Sequence, residues 1–106
     1  MADDPLDALD ALIRSRKGAD AASSYTASLF AAGRAKVAQK VGEEAVETVI
    51  AAMGDDKKAL TGEAADLIYH LVVLLADAGL SLDDVRQELA RRTGQSGLTE
   101  KASRSS

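Results

Sequence analysis

The residues from Lys36 to Asp66 constrain this chain more than any other stretch. They carry Glu43, Glu44 and Glu47 in the spacing EExxE, then a Gly-Asp-Asp turn, then Glu63 and Asp66 as ExxD. Glu47 and Glu63 each lie eight residues from Asp55, and Glu44 and Asp66 each lie eleven from it. Helices rise about 1.5 Å per residue, so residues equidistant from a turn sit at one height of an antiparallel hairpin. Glu47 is therefore expected to face Glu63, with Glu44 facing Asp66 one turn away.

At about 100° per residue, Val37, Val41, Ala45, Thr48, Val49 and Ala52 form one apolar arc of the first helix. Lys36, Lys40, Glu43 and Glu47 form the opposite stripe. Glu44 lies on the border of the apolar arc, where a merely solvated carboxylate has no reason to be. On the second helix Glu63, Asp66, His70 and Asp77 share a narrow stripe, and almost everything else from Leu67 to Leu75 is apolar. Carboxylates converging at two levels between two helices repel unless a cation sits among them. Oxygen ligands without Cys or paired His suit Mg²⁺ or Mn²⁺ rather than zinc. Acidic residues three apart are common on solvated helices, so neither motif alone says much. Matched heights beside apolar residues favour the metal reading over a solvated face.

The chain has 106 residues, enough for one domain with a modest core. Hydrophobic residues make up 46%, mostly Ala, Leu and Val, with one Phe, two Tyr and no Trp. The fold class is all-α, with four to five helices around a central antiparallel hairpin. A net charge of −4 argues against a nucleic-acid partner, which calls for a basic surface. An anionic substrate stays open if metal ions and local lysines neutralise it. The absence of Cys excludes a disulfide framework and a thiolate site. The start, MADDPLDALD, lacks the basic residues and apolar run of a signal peptide. The longest uninterrupted apolar run, Leu71 to Ala76, is too short to span a bilayer, so no membrane role and a cytoplasmic location are expected.

Asp4 and Pro5 open a first helix with Leu6, Leu9, Leu12 and Ile13 on its apolar face, and Gly18 breaks it. Between Ala19 and Ala32, Ser23, Ser24 and Thr26 favour a cap or loop, and Leu29 and Phe30 look like the core contact of a short helix. The Ser-Ser-Tyr-Thr cluster reads first as a capped turn and second as a set of hydroxyl donors for a phosphate or sugar. Gly42, on the packing side of the central helix, is expected where another backbone comes close. The second hairpin helix is expected over residues 57–78. Ser81 to Asp84 has the shape of a capping box, opening a last helix through Arg92 that buries Leu82, Val85 and Leu89. Residues 1–92 thus form the domain, and the polar residues 93–106 a tail with no fixed fold. The segment Leu67 to Leu75 is apolar over most of its circumference, more than the other helices can cover. A homodimer with this helix near the two-fold axis would cover it.

Lys36 and Lys40 either pair with Glu43 and Glu47 along the helix or hold phosphate oxygens. His70, the only histidine, is expected to be a hydrogen-bonded core residue that orients Asp66 rather than a ligand. Tyr69 is expected to pack on a different face.

The segments SYTASLFAAGRAKVAQKVGEEAVET and EAADLIYHLVVLL closely resemble the phosphoribosyl-ATP pyrophosphohydrolases of histidine biosynthesis. That family belongs to the all-α, MazG-like nucleoside triphosphate pyrophosphohydrolases, whose signature is EExxE…ExxD. The resemblance covers about Leu6 to Arg92 with no departure at the acidic positions. It implies hydrolysis of the α–β phosphate bond of phosphoribosyl-ATP, Mg²⁺ and a dimer. It also implies Glu44, Glu47, Glu63 and Asp66 as metal ligands, and Glu43, with Glu47 sharing the role, to orient or deprotonate the attacking water. Lys36 and Lys40 would contact phosphates, and Ser24, Tyr25 and Thr26 other parts of the substrate. The alternatives are a pyrophosphohydrolase of the same superfamily that removes surplus nucleotides, and a non-catalytic helical dimerisation module.

Overall fold

A computed structural model describes residues 4–94, which contain five α-helices and one 3-10 turn and, among those residues, no strand. Of the expected tail, residues 93–106, Thr93 belongs to the last helix, and residues 95–106 lie outside the described residues. Helix α1 spans Pro5–Ser15, and the Asp4 carboxylate accepts from the Leu6 N–H at 2.9 Å, with proline in the first turn. A 3-10 turn, Ala21–Ser23, leads to α2, Tyr25–Ala32, where Ser24 is the N-cap and accepts from Ala27 N–H. The capped-turn reading of Ser24 therefore holds. Gly33, at φ +98°, bends the chain directly into α3, Arg34–Ala52.

A tight turn capped by Asp56 joins α3 to α4, Lys57–Asp77. Gly79, at φ +81°, ends that helix, and the Leu80 N–H reaches back to the Leu75 carbonyl at 2.8 Å. Helix α5, Leu82–Thr93, starts with the full Ser81/Asp84 capping box. Its first N–H is directed at the buried Asp10 carboxylate of α1, which also pairs with Arg14 at 3.3 Å.

The core lies where α1 and α2 cross one half of the α3–α4 hairpin. Ile13, Leu29, Val37, Val72, Val73 and Ala76 form it, flanked by Leu9, Phe30, Tyr69, Leu74 and Leu82. Burying each larger side chain contributes about 1.5–3 kcal/mol. The other half of the hairpin, toward its turn, has no helix laid across it among the described residues. Val46, Val49, Ile50 and Met53 are 58–79% exposed there, and Ile68 and Leu71 on α4 are each 40% exposed.

Three packing expectations change. Helix α5 buries little: Leu82 packs against the core, but Val85 and Leu89 stand open. Val49 and Ala52 face outward, so the inward arc of α3 is narrower than the periodicity implied. A Cβ on Gly42 would meet nothing within 4 Å, so no backbone among the described residues approaches it. Helix α4 has the length and composition of a membrane span, but Glu63 and Asp66 within it face carboxylates of α3, which suits a bundle core and not lipid.

Candidate active site

The hairpin brings Glu44, Glu63 and Asp66 together, one ligand oxygen of each lying within 4.8 Å of the others. The local reason is the register expected from the turn: α3 and α4 pack antiparallel, and EExxE and ExxD meet at the same height. Glu44, on the edge of the apolar arc, is 9% exposed. Glu47 is more exposed but sits beside both Glu44 and Glu63, and acts electrostatically on each.

This crowding shows in the proton affinities. A hydrogen bond with Glu47, then burial and the Glu47 and Asp66 charges, pushes Glu44 above its ordinary carboxylate value. Burial, followed by the charges of Glu47 and Asp66, pushes Glu63 up as well. The Oε2 atoms of both Glu44 and Glu63 are buried with no hydrogen-bond partner among the described residues. Buried acceptors without donors are costly, and a cation is the group that satisfies several at once. A set of carboxylate oxygens suits a hard divalent ion. Asp77, on the same sequence stripe, is instead drawn to the hairpin's other end by Arg34, Nε to Oδ2 2.7 Å.

Glu43 is not one of the converging carboxylates. It is exposed, accepts from Gln39 at 2.8 Å and pairs with Lys40 at 3.5 Å. The Gln39 hydrogen bond, then Lys40 and Lys36, holds its carboxyl below the ordinary range. Lys40 is itself raised, first by the Tyr25 phenol near it and then by Glu43 and Glu44. Two of the expected substrate-contact positions, Tyr25 and Lys40, thus act on each other electrostatically. Lys36 lies one turn earlier on α3, exposed, near enough to influence Glu43.

Behind the cluster, His70 is buried and donates Nδ1–H to the Asp66 carbonyl at 2.7 Å, since a carbonyl can only accept. In the neutral ring Nε2 then accepts from the Tyr25 hydroxyl at 2.9 Å. His70 accordingly supports the turn that carries Asp66 and is not positioned as a ligand. The hydroxyls of Thr26 and Tyr69 are bonded to each other, and the Tyr25 and Tyr69 rings stack with centroids 6.2 Å apart. Tyr69 therefore packs against the core flank, as expected, and also meets Thr26 and Tyr25 near the cluster. Its spacing of three from Asp66 was the signal for that. Thr48 also belongs to the site's framework and drew no functional expectation; its hydroxyl lies 2.8 Å from the Glu44 carbonyl and 3.2 Å from that of Glu63.

The sequence profile of the phosphoribosyl-ATP pyrophosphohydrolase family matches residues 6–93. The phosphoribosyl-ATP pyrophosphatase of Rhizorhabdus wittichii is 61% identical over 99 residues, covering 93% of each chain. Those of Paramagnetospirillum magneticum and Azospirillum brasilense are 60% and 59% identical, covering 93% and 95% of this chain and 91% of theirs.

Proposed function

The chain belongs to the phosphoribosyl-ATP pyrophosphohydrolase family, and from that premise we propose that it hydrolyses the α–β phosphate bond of phosphoribosyl-ATP, releasing phosphoribosyl-AMP and pyrophosphate in histidine biosynthesis. The observation that carries the reading to this chain's own atoms is the convergence of Glu44, Glu63 and Asp66, with two buried carboxylate oxygens lacking donors.

Glu44, Glu47, Glu63 and Asp66 would hold Mg²⁺, with Mn²⁺ as a substitute. When bound, the metal neutralises phosphate charge and lowers the pKa of a coordinated water. The protein's own part is placement. Two helices fix the carboxylates, and the Tyr25–His70 hydrogen bonds support the Asp66 turn. Lys40, and Lys36 one turn away, would contact phosphate oxygens, and Ser24, Tyr25 and Thr26 would contact other parts of the substrate. Glu43 stays ionised beside Lys40 and would orient the attacking water as an acceptor, with Glu47 sharing the proton transfer. No covalent intermediate is needed.

The chain would work as a cytoplasmic homodimer. Exposed Val46, Val49, Ile50 and Met53 on α3 and Ile68 and Leu71 on α4 support that reading, since a second copy would cover them. A monomer by light scattering at micromolar concentration would remove it.

The direct test measures pyrophosphate release from phosphoribosyl-ATP, with Mg²⁺ or EDTA, against a panel of ordinary and damaged nucleoside triphosphates. Rapid, EDTA-sensitive release from phosphoribosyl-ATP alone is the expected result. Preference for other triphosphates would keep the metal chemistry and overturn the substrate.

A further inference from the structure

Thr48 is the one hydroxyl in the apolar arc of α3, and nothing in the reaction outlined above uses it. Its Oγ1 lies 2.8 Å from the Glu44 carbonyl on its own helix and 3.2 Å from the Glu63 carbonyl on α4. Both neighbours are carbonyls, which only accept, so the single hydroxyl hydrogen serves both. The first contact alone would be ordinary, because threonine in a helix often bonds back four residues. The second crosses the hairpin, and it ends on a residue whose side chain belongs to the acidic cluster. Arg34 and Asp77 tie the same two helices, but at the opposite end of the hairpin.

We propose that Thr48 is a positioning residue for the carboxylate cluster: its shared hydrogen bond holds the backbone of Glu44 and the backbone of Glu63 at the separation the metal requires. This rests on the metal reading above. Four like-charged groups push α3 and α4 apart at this level when no cation is bound. Apolar packing against Ala and Val opposes that push without fixing distance or register. A half-buried hydroxyl that bridges two backbone carbonyls fixes both, and the carbonyls belong to residues on each side of the site. Valine at this position keeps the branched shape and removes the bridge, while each helix keeps its own backbone bonds. Serine keeps the bridge.

The experiment titrates Mg²⁺ into metal-free wild type, Thr48→Val and Thr48→Ser by calorimetry, and melts each protein in Mg²⁺ and in EDTA. Thr48→Val is expected to bind Mg²⁺ about tenfold more weakly, the scale set by groups that orient metal ligands, and Thr48→Ser within about threefold of wild type. The rise in melting temperature on adding Mg²⁺ should shrink in the valine variant and return in the serine variant. A residue that only packs would lower both melts equally and leave that rise unchanged, which would overturn the proposal. So would equal Mg²⁺ affinity in valine variant and wild type, or equal losses in valine and serine variants. If the valine variant does not fold, Thr48→Ala takes its place with the same expectation. Wild type that binds no Mg²⁺ would overturn the metal reading itself, and this inference with it.

Discussion

At the α1–α5 end of the molecule, Asp4 and Asp7 pair with Arg86, and Glu88 is held by Arg91 at 2.7 Å and Arg92 at 2.9 Å. In the α3–α4 hairpin, Glu44, Glu63 and Asp66 meet with no ion pair to any of them among the described residues. The chemistry is the same and the neighbours are opposite. Hydrogen bonds from Arg91 and Arg92 draw Glu88 down to about 2, whereas burial and like charges push Glu44 and Glu63 up. One region has balanced its charge with its own arginines. The other has gathered charge with no cationic side chain paired to it among the described residues, which is what the proposed cation site rests on.

Removing a carboxylate from the unbalanced region should have the largest effect. Glu44→Ala or Asp66→Ala is expected to lower kcat/KM for phosphoribosyl-ATP by about a thousandfold or more, since several kcal/mol of charge stabilisation goes with the metal. Circular dichroism should show the helices intact. Full activity in either variant would erase the distinction between the two regions. Next comes the metal itself: Mg²⁺ at a hundredfold excess over Kd adds about 2.7 kcal/mol, which in a domain this size raises the melting temperature by roughly 10 °C or more. A melt unchanged by millimolar Mg²⁺ would count directly against the site.

The pH dependence separates the regions by sign. A carboxyl with a raised folded pKa favours the folded state when protonated, so the contribution of Glu44 and Glu63 is present below the ordinary value of 4.5 and lost as pH rises through their higher folded values. Metal-free protein should therefore melt at a lower temperature at pH 7 than at pH 5, and Mg²⁺ should cancel or invert that trend. Glu88 runs the other way: its contribution is full above 4.5 and is lost as pH falls toward about 2. The smallest effect is expected from Glu88→Gln, whose partners are solvent-exposed. It should move the neutral-pH melt by a degree or two at most and leave the Mg²⁺ response untouched. A larger change in that response would mean the two ends are coupled.

Much of this architecture was legible in local chemistry. Asp4-Pro5, Ser24 and Ser81 with Asp84 cap helices because their side chains reach backbone N–H groups two or three residues away, which needs no tertiary information. The meeting of Glu44, Glu63 and Asp66 was legible because a short turn fixes register, and register is arithmetic; Glu47, expected among them, is not one of the three whose oxygens converge. Contacts that depend on how far neighbouring helices extend were not legible. Val49, Val85 and Leu89 have the right periodicity for burial, but α1 and α2 cover only one end of the bundle. Gly42 looked like a close approach and meets open space among the described residues. Tyr69 packs against the core as expected, but only the placement of α2 reveals that Thr26 and Tyr25 meet it.

The turn between α3 and α4 bears on folding speed as well as geometry. Glu44 and Asp66 are only twenty-two residues apart in the chain, so the site closes by one of the most local tertiary contacts available. Local contacts form early and fast, yet this one brings negative charge onto negative charge. In metal-free buffer the hairpin should then be a slow step of an otherwise rapid folding reaction. Millimolar Mg²⁺ in a stopped-flow refolding experiment would accelerate the chain by screening the carboxylates while the hairpin that gathers them is still forming.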